Sequence, residues 1–336
     1  MTQAYVEDDL ARLVNVARTA LTRWDIPTDA DVELLNLSEN ATFAVADPNT
    51  RTPLILRVGR PEYSTVREVD SELSWIEALA GDRAVLTAPV RRARDGSRVV
   101  EISVPELPAA RPCVVFGFVP GKAAPEDADL VSYFRVLGEL AAKLHGHAQS
   151  WQPPQEFQRR RWDYETTIGD RPHWGAWEDG IGVGVSERKL LQRLQRVLEQ
   201  RLANYGTGPE RFGLVHADLR LDNVLFDGPD AYVIDFDDCG WSWFMYDLAA
   251  CLTFIEDRPD LPALTTSWLA GYRGVAPLED EAEAIIPTMI MLRRLLVLAW
   301  IGSHAETPLA KAEGVAYTEG TCWLAGRYLG GDGLGI

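Results

Sequence analysis

The sequence predicts an α+β fold made of two lobes, a small N-terminal lobe built on an antiparallel sheet and a larger, mainly helical C-terminal lobe. Three observations support this. Short β-rich segments are concentrated before residue 120, long segments with helical periodicity dominate after it, and the turn-rich stretch "FVPGKAAPEDAD" separates the two. We therefore place the boundary between residues 1–118 and residues 119–336.

The N-terminal lobe begins with a predicted amphipathic helix over residues 8–24, which ends before Pro27. The segments "DVELLNLS", "ATFAVAD" and "PLILRVG" follow as short strands of a meander. "TVREVDSELSWIEALAG" repeats apolar residues at spacings of three and four before Gly81, which predicts a helix. Two further strands, near residues 97–104 and 113–119, would complete a sheet of about five strands.

Helices dominate the predicted C-terminal lobe. They are expected over residues 133–147, 187–205, 244–255, 278–301 and 309–328. The strands expected there are "NVLFD" and "AYVIDF", a pair separated by the turn "GPD". Residues 151–184 are rich in Trp, Arg, Gly and Pro without periodicity, and are predicted to be irregular.

Composition excludes some classes of partner. The formal charge of −17 and the pI near 4.8 disfavour binding to nucleic acid or an anionic membrane. Four scattered cysteines indicate a reduced, cytoplasmic protein, and the first residues have no secretory pattern. The apolar window Met289–Ile301 is interrupted by two arginines and is shorter than the roughly 18 residues of a membrane span, which predicts a buried core helix.

The stretch "LVHADLRLDNVLF" places polar residues between apolar ends, and its spacing suits phosphoryl transfer. In that chemistry one carboxylate orients the acceptor hydroxyl, while an asparagine and a second carboxylate hold magnesium against the phosphates. Asp218 is followed after four residues by Asn223, and Asp235 ends the apolar strand twelve positions later. The order and the spacing both predict a kinase catalytic loop.

The two-part pattern "HADLRLDNVLF…YVIDFDDCGWSWFMYDLA" resembles the signature of the aminoglycoside phosphotransferase and choline kinase superfamily. Within it the chain is most similar to the phosphotransferase-enzyme family that includes homoserine kinase type II, hydroxylysine kinase and stress-response kinase A. "SENATFAV", "LILRVGRPEYSTVREVDSELSWIEAL", "CVVFGFVPGK" and "RRLLVLAWIGS" extend the resemblance over most of the chain. It implies a protein-kinase-like two-lobe fold, with nucleotide bound by the first lobe and the acceptor by the second.

The resemblance also implies roles for individual residues. Asp218 would be the catalytic carboxylate, and Asn223 and Asp235 would be magnesium ligands, with Asp237 as an additional ligand. Arg57 occupies the place of the usual phosphate-binding lysine, with Glu72 as its partner on the helix. Arginine keeps the charge but is bulkier and binds through a planar fork. Ala217 replaces the usual glycine, which matters if that backbone needs a positive φ.

The nucleotide contacts follow from the same resemblance. No G-x-G-x-x-G precedes Arg57, so "LSENATF" would cover the phosphates through Ser38 and Asn40. Main-chain groups around Phe116 to Phe118 would meet the adenine edge. ATP is the expected donor, with GTP left open, and Mg2+ is the expected metal.

Other readings of the polar residues remain open. His216 is more plausible as a brace of the loop than as a catalytic group. Asp247 begins a helix and is expected to serve as a cap or dipole partner. A binuclear metal hydrolase could use His216, Asp218 and the acids after residue 234, although such sites favour histidine and the chain has five. The Arg57–Glu72 pair could be an ordinary surface ion pair.

The acceptor is the least determined part. Residues 224–262 hold nine acids against one basic residue, interleaved with Trp241, Trp243, Phe244 and Tyr246. They could form a pocket for a cationic amine, or the acids could serve the metal and the aromatic residues the core. Trp162 and Asp163 are candidates for acceptor contacts.

The function predicted is an ATP- and Mg2+-dependent phosphotransferase acting on a hydroxyl of a small metabolite, such as an amine-containing alcohol or a hydroxy-amino acid. The alternatives are a serine/threonine protein kinase of the stress-response type and a non-catalytic nucleotide-binding regulator. Oligomeric state is left open.

Overall fold

The computed structural model describes residues 7–37, 40–46, 52–61, 63–125, 128–331 and 334. Its N-terminal part contains two helices and seven short strands. These are α1 (Glu7–Leu21), β1 (Val32–Leu37), β2 (Ala41–Val45), β3 (Leu54–Val58), α2 (Val66–Gly81), β4 (Leu86–Thr87), β5 (Val90–Arg91), β6 (Val100–Ile102) and β7 (Arg111–Gly117).

Six of these strands form one antiparallel sheet, one more strand than predicted. The order is β1-β2-β3-β7-β5, and β6 pairs with the other part of β7. Side chains alternate across the sheet: Phe43 and Leu56 are fully buried on the face that α1 covers, while Thr42 and Arg57 lie opposite each other in the ladder and face a cavity. The alternation thus supplies both the core and one wall of the site.

Helix α2 begins at a capping box. Thr65 accepts the N–H of Glu68 through its side chain, and the Glu68 carboxylate accepts the N–H of Thr65. This fixes where the helix starts and hence which residues face the sheet. Glu72, two turns into the helix, is fully buried against it.

The C-terminal part is mainly helical. Its elements are α3 (Leu130–Ser150), α4 (Tyr164–Thr167), α5 (Val185–Tyr205), β8 (Phe212–Val215), β9 (Val224–Asp227), β10 (Asp230–Val233), β11 (Gly240–Trp243), α6 (Tyr246–Cys251), α7 (Leu261–Arg273), α8 (Asp280–Ala284), α9 (Ile286–Ser303) and α10 (Pro308–Gly330). The helix predicted over residues 278–301 is divided into α8 and α9, and the one predicted over residues 244–255 is shorter.

Helix α7 was not predicted from the sequence. Pro262 reads as a break, but it lies in the first turn of α7, where proline has no N–H to lose. Gly138 of α3 and Gly271 of α7 allow the two helices to approach closely, since a Cβ at either position would lie 2.0 Å from a carbonyl oxygen of the other helix. The short strands β8 and β11, rich in glycine and tryptophan, were also not predicted. They are defined by their antiparallel pairing with each other and not by a pattern in the sequence.

The predicted hairpin of "NVLFD" and "AYVIDF" is present as β9 and β10, in antiparallel register from Val224–Val233 to Asp227–Asp230. Strand β4 adds to it in parallel, joining the two parts of the chain. Gly121, at φ 109°, lets the connecting segment run against β9, where Lys122 and Phe226 form a bridge.

Helix α9 is the predicted core helix. The stretch Asp280–Ser303 is long and apolar enough to cross a membrane by length and composition, but 83% of its apolar window is buried inside the protein. Arg293 and Arg294, which interrupt the window, are buried with it. Their partners are described below.

Candidate active site

The predicted catalytic loop lies between β8 and a short 3-10 turn at Leu221–Asn223. Its backbone is held from below by Asp247 in the first turn of α6. Oδ1 of Asp247 accepts the N–H of Ala217 at 2.8 Å, and Oδ2 accepts the N–H of His216 at 3.2 Å and meets Nε2 of His145 at 3.0 Å. Ala217 adopts a left-handed backbone, with φ 67°. The position of the usual glycine therefore does require positive φ, and Asp247 braces the loop and does not cap its own helix.

His216 is fully buried and braces the loop. Its Nε2 donates to the carbonyl of Ile234 at 3.1 Å, while Nδ1 accepts the N–H of Asp218 at 3.3 Å. Burial lowers the pKa of His216. A neutral ring with both nitrogens engaged has no lone pair left for a metal.

Both carboxylate oxygens of Asp218 accept hydrogen bonds. Oδ1 accepts from Arg293 at 2.7 Å, Oδ2 accepts from Nδ2 of Asn223 at 2.9 Å, and Nε of Arg220 lies 3.5 Å from Oδ2. Burial would raise the pKa of Asp218, but Arg220 and Arg293 outweigh it and the pKa is lowered. Asp218 is therefore a fixed anion at neutral pH.

The proposed metal ligands meet at one end of the β9–β10 hairpin. The carbonyl of Asn223 accepts the N–H of Ile234 at 3.0 Å, which sets Asn223 beside Asp235. Asp235 has a left-handed backbone, with φ 59°. Burial, followed by the charge of Asp237, raises the pKa of Asp235 to about 7.

This donor set suits Mg2+. Two carboxylates and an amide oxygen are hard ligands, and magnesium usually completes its shell with water and substrate phosphates. The unfavourable proximity of Asp235 and Asp237 is what a divalent cation relieves. The residues present therefore fit the metal that the fold implies.

Asp237 and Asp238 are held by both parts of the chain. Asn40 donates to Oδ2 of Asp237 at 2.9 Å, and Tyr63 donates to Oδ1 of Asp238 at 2.9 Å. Arg159, from the irregular segment, donates to the carbonyl oxygens of Asp237 and of Cys239. The acidic loop is thus fixed through its main chain as well as its side chains.

Arg57 and Glu72 form a buried pair and not a surface one. The guanidinium donates to both oxygens of Glu72, each at 2.8 Å, and Glu72 is fully buried. Arg57 also lies 4.0 Å from Asp237 and over the ring of Phe116. The fork geometry leaves its other N–H groups for a phosphate.

These residues line one cavity of about 960 Å³ between the sheet and the helical part. The residues predicted for catalysis, nucleotide contact and metal binding that the structure describes all lie on its wall: Asn40, Arg57, Glu72, Phe116, Phe118, Asp218, Asn223, Asp235 and Asp237. Ser38 lies outside the described residues. Phe118 follows the last paired residue of β7 and lines the cavity, with 45% of its surface exposed.

The predicted acceptor residues need correction. Trp243, Phe244 and Tyr246 are buried in the core, and Trp241 packs against it. These aromatic residues therefore serve the core and do not form an acceptor pocket. Trp162 is buried and donates to the carbonyl of Asp238, while Asp163 caps α4. The cavity instead takes its C-terminal wall from other residues: Trp174, Phe254, Val297, Trp300, His304 and Glu306.

Three site residues were missed at the sequence level. Arg293 bonds to Asp218, Arg220 lies beside the same carboxylate, and His145 supports Asp247. Arg293 carried a usable signal: Arg293, Val297, Trp300 and His304 recur at spacings of four, three and four, which is one face of a helix. That face lines the cavity.

A binuclear hydrolase is disfavoured. In the described part of the chain, no group of three or more His, Cys, Asp or Glu side chains is arranged to hold a metal ion. The cavity presents Asn223 beside Asp235 and Asp237, which are the ligand types expected of a phosphotransferase.

A two-lobe α+β fold with these residues in its cleft defines the class, a kinase-like phosphotransferase. The chain belongs to the phosphotransferase enzyme family, whose model matches residues 32–284. A solved structure described as a microcompartment-associated aminopropanol kinase is 44% identical, with a TM-score of 0.88 over 96% of this chain and 99% of that one.

Curated relatives include kinases. The amicoumacin kinase of Bacillus subtilis is 26% identical over 84% of this chain and 82% of its own length. The homoserine kinase of Gluconobacter oxydans is 29% identical over 75% of this chain and 77% of its own length. The predicted family, fold class and activity, phosphoryl transfer to the hydroxyl of a small molecule, are confirmed.

Proposed function

We propose that this protein is an ATP- and Mg2+-dependent kinase of a short amino alcohol of the aminopropanol class. The observation that carries this proposal is the 44% identity with an aminopropanol kinase over nearly the whole of both chains. A charged amine suits the cavity, where Trp174, Phe254 and Trp300 contribute aromatic surface and Asp238 and Glu306 contribute carboxyl groups. The strongly acidic chain also favours a cationic acceptor.

In the proposed reaction each group has a defined task. Asp218, ionised and fixed on both oxygens, accepts a hydrogen bond from the acceptor hydroxyl and aims it at the γ-phosphoryl group. Asn223, Asp235 and Asp237 would hold magnesium, which would supply positive charge against the phosphates. Arg57 binds phosphate oxygens, and main-chain groups near Phe118 meet the base. Because the transition state is loose, positioning contributes more than basicity, which suits a carboxylate of lowered pKa.

The location proposed is cytoplasmic. All four cysteines are free, and Cys113, Cys239 and Cys251 are buried. Free thiols in this number suit a reducing compartment.

The test is Mg2+-dependent ATP and GTP consumption with a matched panel of acceptors. 1-Amino-2-propanol and ethanolamine carry the amine, 1,2-propanediol replaces it with a hydroxyl, homoserine adds a carboxylate, and casein stands for a protein acceptor. Replacing an ammonium by a neutral group beside aromatic and acidic surface removes about 1–2 kcal/mol, so kcat/KM for 1-amino-2-propanol should exceed that for the diol by roughly fivefold to thirtyfold.

Asp218→Asn is the control for chemistry. It keeps the size of the side chain and should reduce kcat by a factor of about 100 or more with ATP affinity nearly unchanged. A preference for the diol, for homoserine or for casein would reject the amino-alcohol assignment. Nucleotide binding without turnover on any acceptor would favour a regulator.

A further inference from the structure

Two consecutive arginines, Arg293 and Arg294, are buried in the otherwise apolar helix α9, with 4% and 3% of their surface exposed. A buried charge is unfavourable unless it is paired, so each must be explained by its partners. Being adjacent, they point in directions about 100° apart around the helix. Only Arg293 faces the cavity.

Arg293 is bound by four groups from three different segments. Its Nε donates to Oγ1 of Thr253 at 3.1 Å, and NH1 donates to the carbonyl of Ala217 at 3.2 Å and to the hydroxyl of Tyr246 at 3.1 Å. NH2 donates to Oδ1 of Asp218 at 2.7 Å. The planar guanidinium is thereby fixed before it meets the carboxylate.

The effect on Asp218 is geometric. Asn223 holds Oδ2 from the side of the hairpin, and Arg293 holds Oδ1 from the side of α9. Two donors on opposite oxygens select one rotation of the carboxylate plane. A single donor would leave the plane free to turn about the Cβ–Cγ bond.

We propose, on the basis of the function proposed above, that Arg293 is a positioning residue for phosphoryl transfer: it fixes the Asp218 carboxylate in the orientation that directs its remaining lone pairs to the acceptor hydroxyl. Arg293 also bonds to the carbonyl of Ala217, so it ties the carboxylate to the left-handed turn of the loop. Arg293 lies beyond residues 32–284, so the family match does not include it.

Arg294 provides a matched control. It is equally buried and equally paired, but with Glu256 at 2.8 Å, Thr321 at 3.0 Å and the carbonyl of Tyr317 at 2.9 Å. Tyr317 and Thr321 lie in α10, Glu256 lies between α6 and α7, and none of the three is on the cavity wall. Loss of Arg294 should therefore reduce stability without changing turnover per folded molecule.

The experiment compares Arg293→Gln, Arg293→Lys and Arg294→Gln by kcat, KM for ATP, affinity for AMP-PNP and urea unfolding, with 1-amino-2-propanol as acceptor. Misplacement of a catalytic group by about 1 Å reduces rates roughly 100-fold, so Arg293→Gln should lower kcat by about that factor while KM for ATP changes by less than about threefold. The kcat of Arg293→Lys should stay below about a tenth of the wild-type value, because an ammonium cannot reach all four acceptors.

Arg294→Gln should lower the urea midpoint at least as much as Arg293→Gln does. Its kcat per folded molecule should stay at the wild-type value. Tyr246→Phe keeps the ring and removes the hydroxyl that accepts a hydrogen bond from Arg293, so kcat should fall by roughly threefold to tenfold. If Arg293→Gln does not fold, the proposal is tested with Tyr246→Phe and Arg293→Lys.

Retention of kcat within about threefold in Arg293→Gln, or in both Arg293→Lys and Tyr246→Phe, would overturn the proposal. Equal losses of kcat in the Arg293 and Arg294 variants would do the same, since they would indicate a structural role. If the wild-type enzyme phosphorylates no acceptor in the panel, the function proposed above is rejected. If Asp218→Asn loses turnover and Arg293→Gln does not, the proposed function stands and the positioning role of Arg293 is rejected.

Discussion

The N–H of Ala217 donates to Oδ1 of Asp247 at 2.8 Å, and this bond holds the catalytic loop in a left-handed turn with φ 67°. The same carboxylate accepts the N–H of His216, so one buried side chain fixes two successive amides. Asp247 lies 30 residues from Ala217 along the chain. The geometry of Asp218 therefore depends on a helix that follows the whole β9–β10 hairpin.

Asp247→Asn should weaken this support. The amide keeps one acceptor oxygen but presents an NH2 group to the other donor, so we expect a loss of about 1–3 kcal/mol in the free energy of unfolding and a fall in kcat of roughly tenfold or more. Urea unfolding and steady-state kinetics measure the two effects. Asp260→Asn is the control, since Asp260 pairs with Arg258 at a largely exposed site and its loss should change stability by less than about 1 kcal/mol. Equal effects of the two changes would contradict the role of Asp247.

Ala217→Gly should be tolerated. An alanine in the left-handed region is strained by about 1–2 kcal/mol, and glycine removes that strain. The change also deletes a buried methyl group and loosens the unfolded chain, which together cost about 1–2 kcal/mol, so the net change should be under about 1 kcal/mol. Activity should remain.

Ala217→Val tests the same turn in the opposite direction. A β-branched side chain is poorly compatible with positive φ, and the site is only 1% exposed, so the free energy of unfolding should fall by more than about 2 kcal/mol. Urea unfolding of both variants provides the measurement. A valine variant as stable as the glycine variant would show that the turn is not constrained.

Asp235→Asn separates the metal site from the fold. In the absence of divalent cation the change removes a buried carboxylate that Asp237 disfavours, so the melting temperature without metal should stay level or rise. Binding of Mg2+ with AMP-PNP should then no longer raise the melting temperature, and turnover should be lost. Thermal unfolding with EDTA and with Mg2+ makes the comparison, with Asp230→Asn at the exposed hairpin turn as control. A variant that keeps its Mg2+-dependent shift would exclude Asp235 as a ligand.

Arg57→Lys tests whether arginine replaces the usual lysine. Lysine keeps the charge but loses the bidentate contact with Glu72, so KM for ATP should rise about tenfold. Arg57→Ala should raise KM further and destabilise the protein by about 3–5 kcal/mol, because Glu72 would be buried without a partner. The measurements are ATP kinetics and urea unfolding.

The double variant Arg57→Met, Glu72→Leu resolves the two roles. Replacing both members of a buried pair by apolar residues should restore most of the stability and none of the ATP affinity. If ATP affinity returned as well, Arg57 would have no contact with the phosphates.

Local spacing determined a large part of this site. Asp218, Asn223 and Asp235 lie within one loop and one hairpin, so their order and separation in the chain nearly fix their arrangement in space. The pairing of Arg57 with Glu72 was expected from the resemblance to the phosphotransferase family, and alternation in β3 and periodicity in α2 make the two side chains face each other. Alternation and helical periodicity also indicated most of the strands and helices.

Tertiary structure alone decided the rest. The support of Asp218 comes from Arg293, 75 residues away, and that of Ala217 from Asp247. Helical spacing could place Arg293 on the cavity face of α9, but no local pattern pairs it with Asp218 or pairs Asp247 with Ala217. The aromatic residues near the catalytic motif went into the core, whereas Trp174 and Trp300, remote in sequence, line the cavity. Burial is a property of how helices pack, so a sequence with the right chemistry in the right order still leaves open which of its polar groups are brought together and fixed.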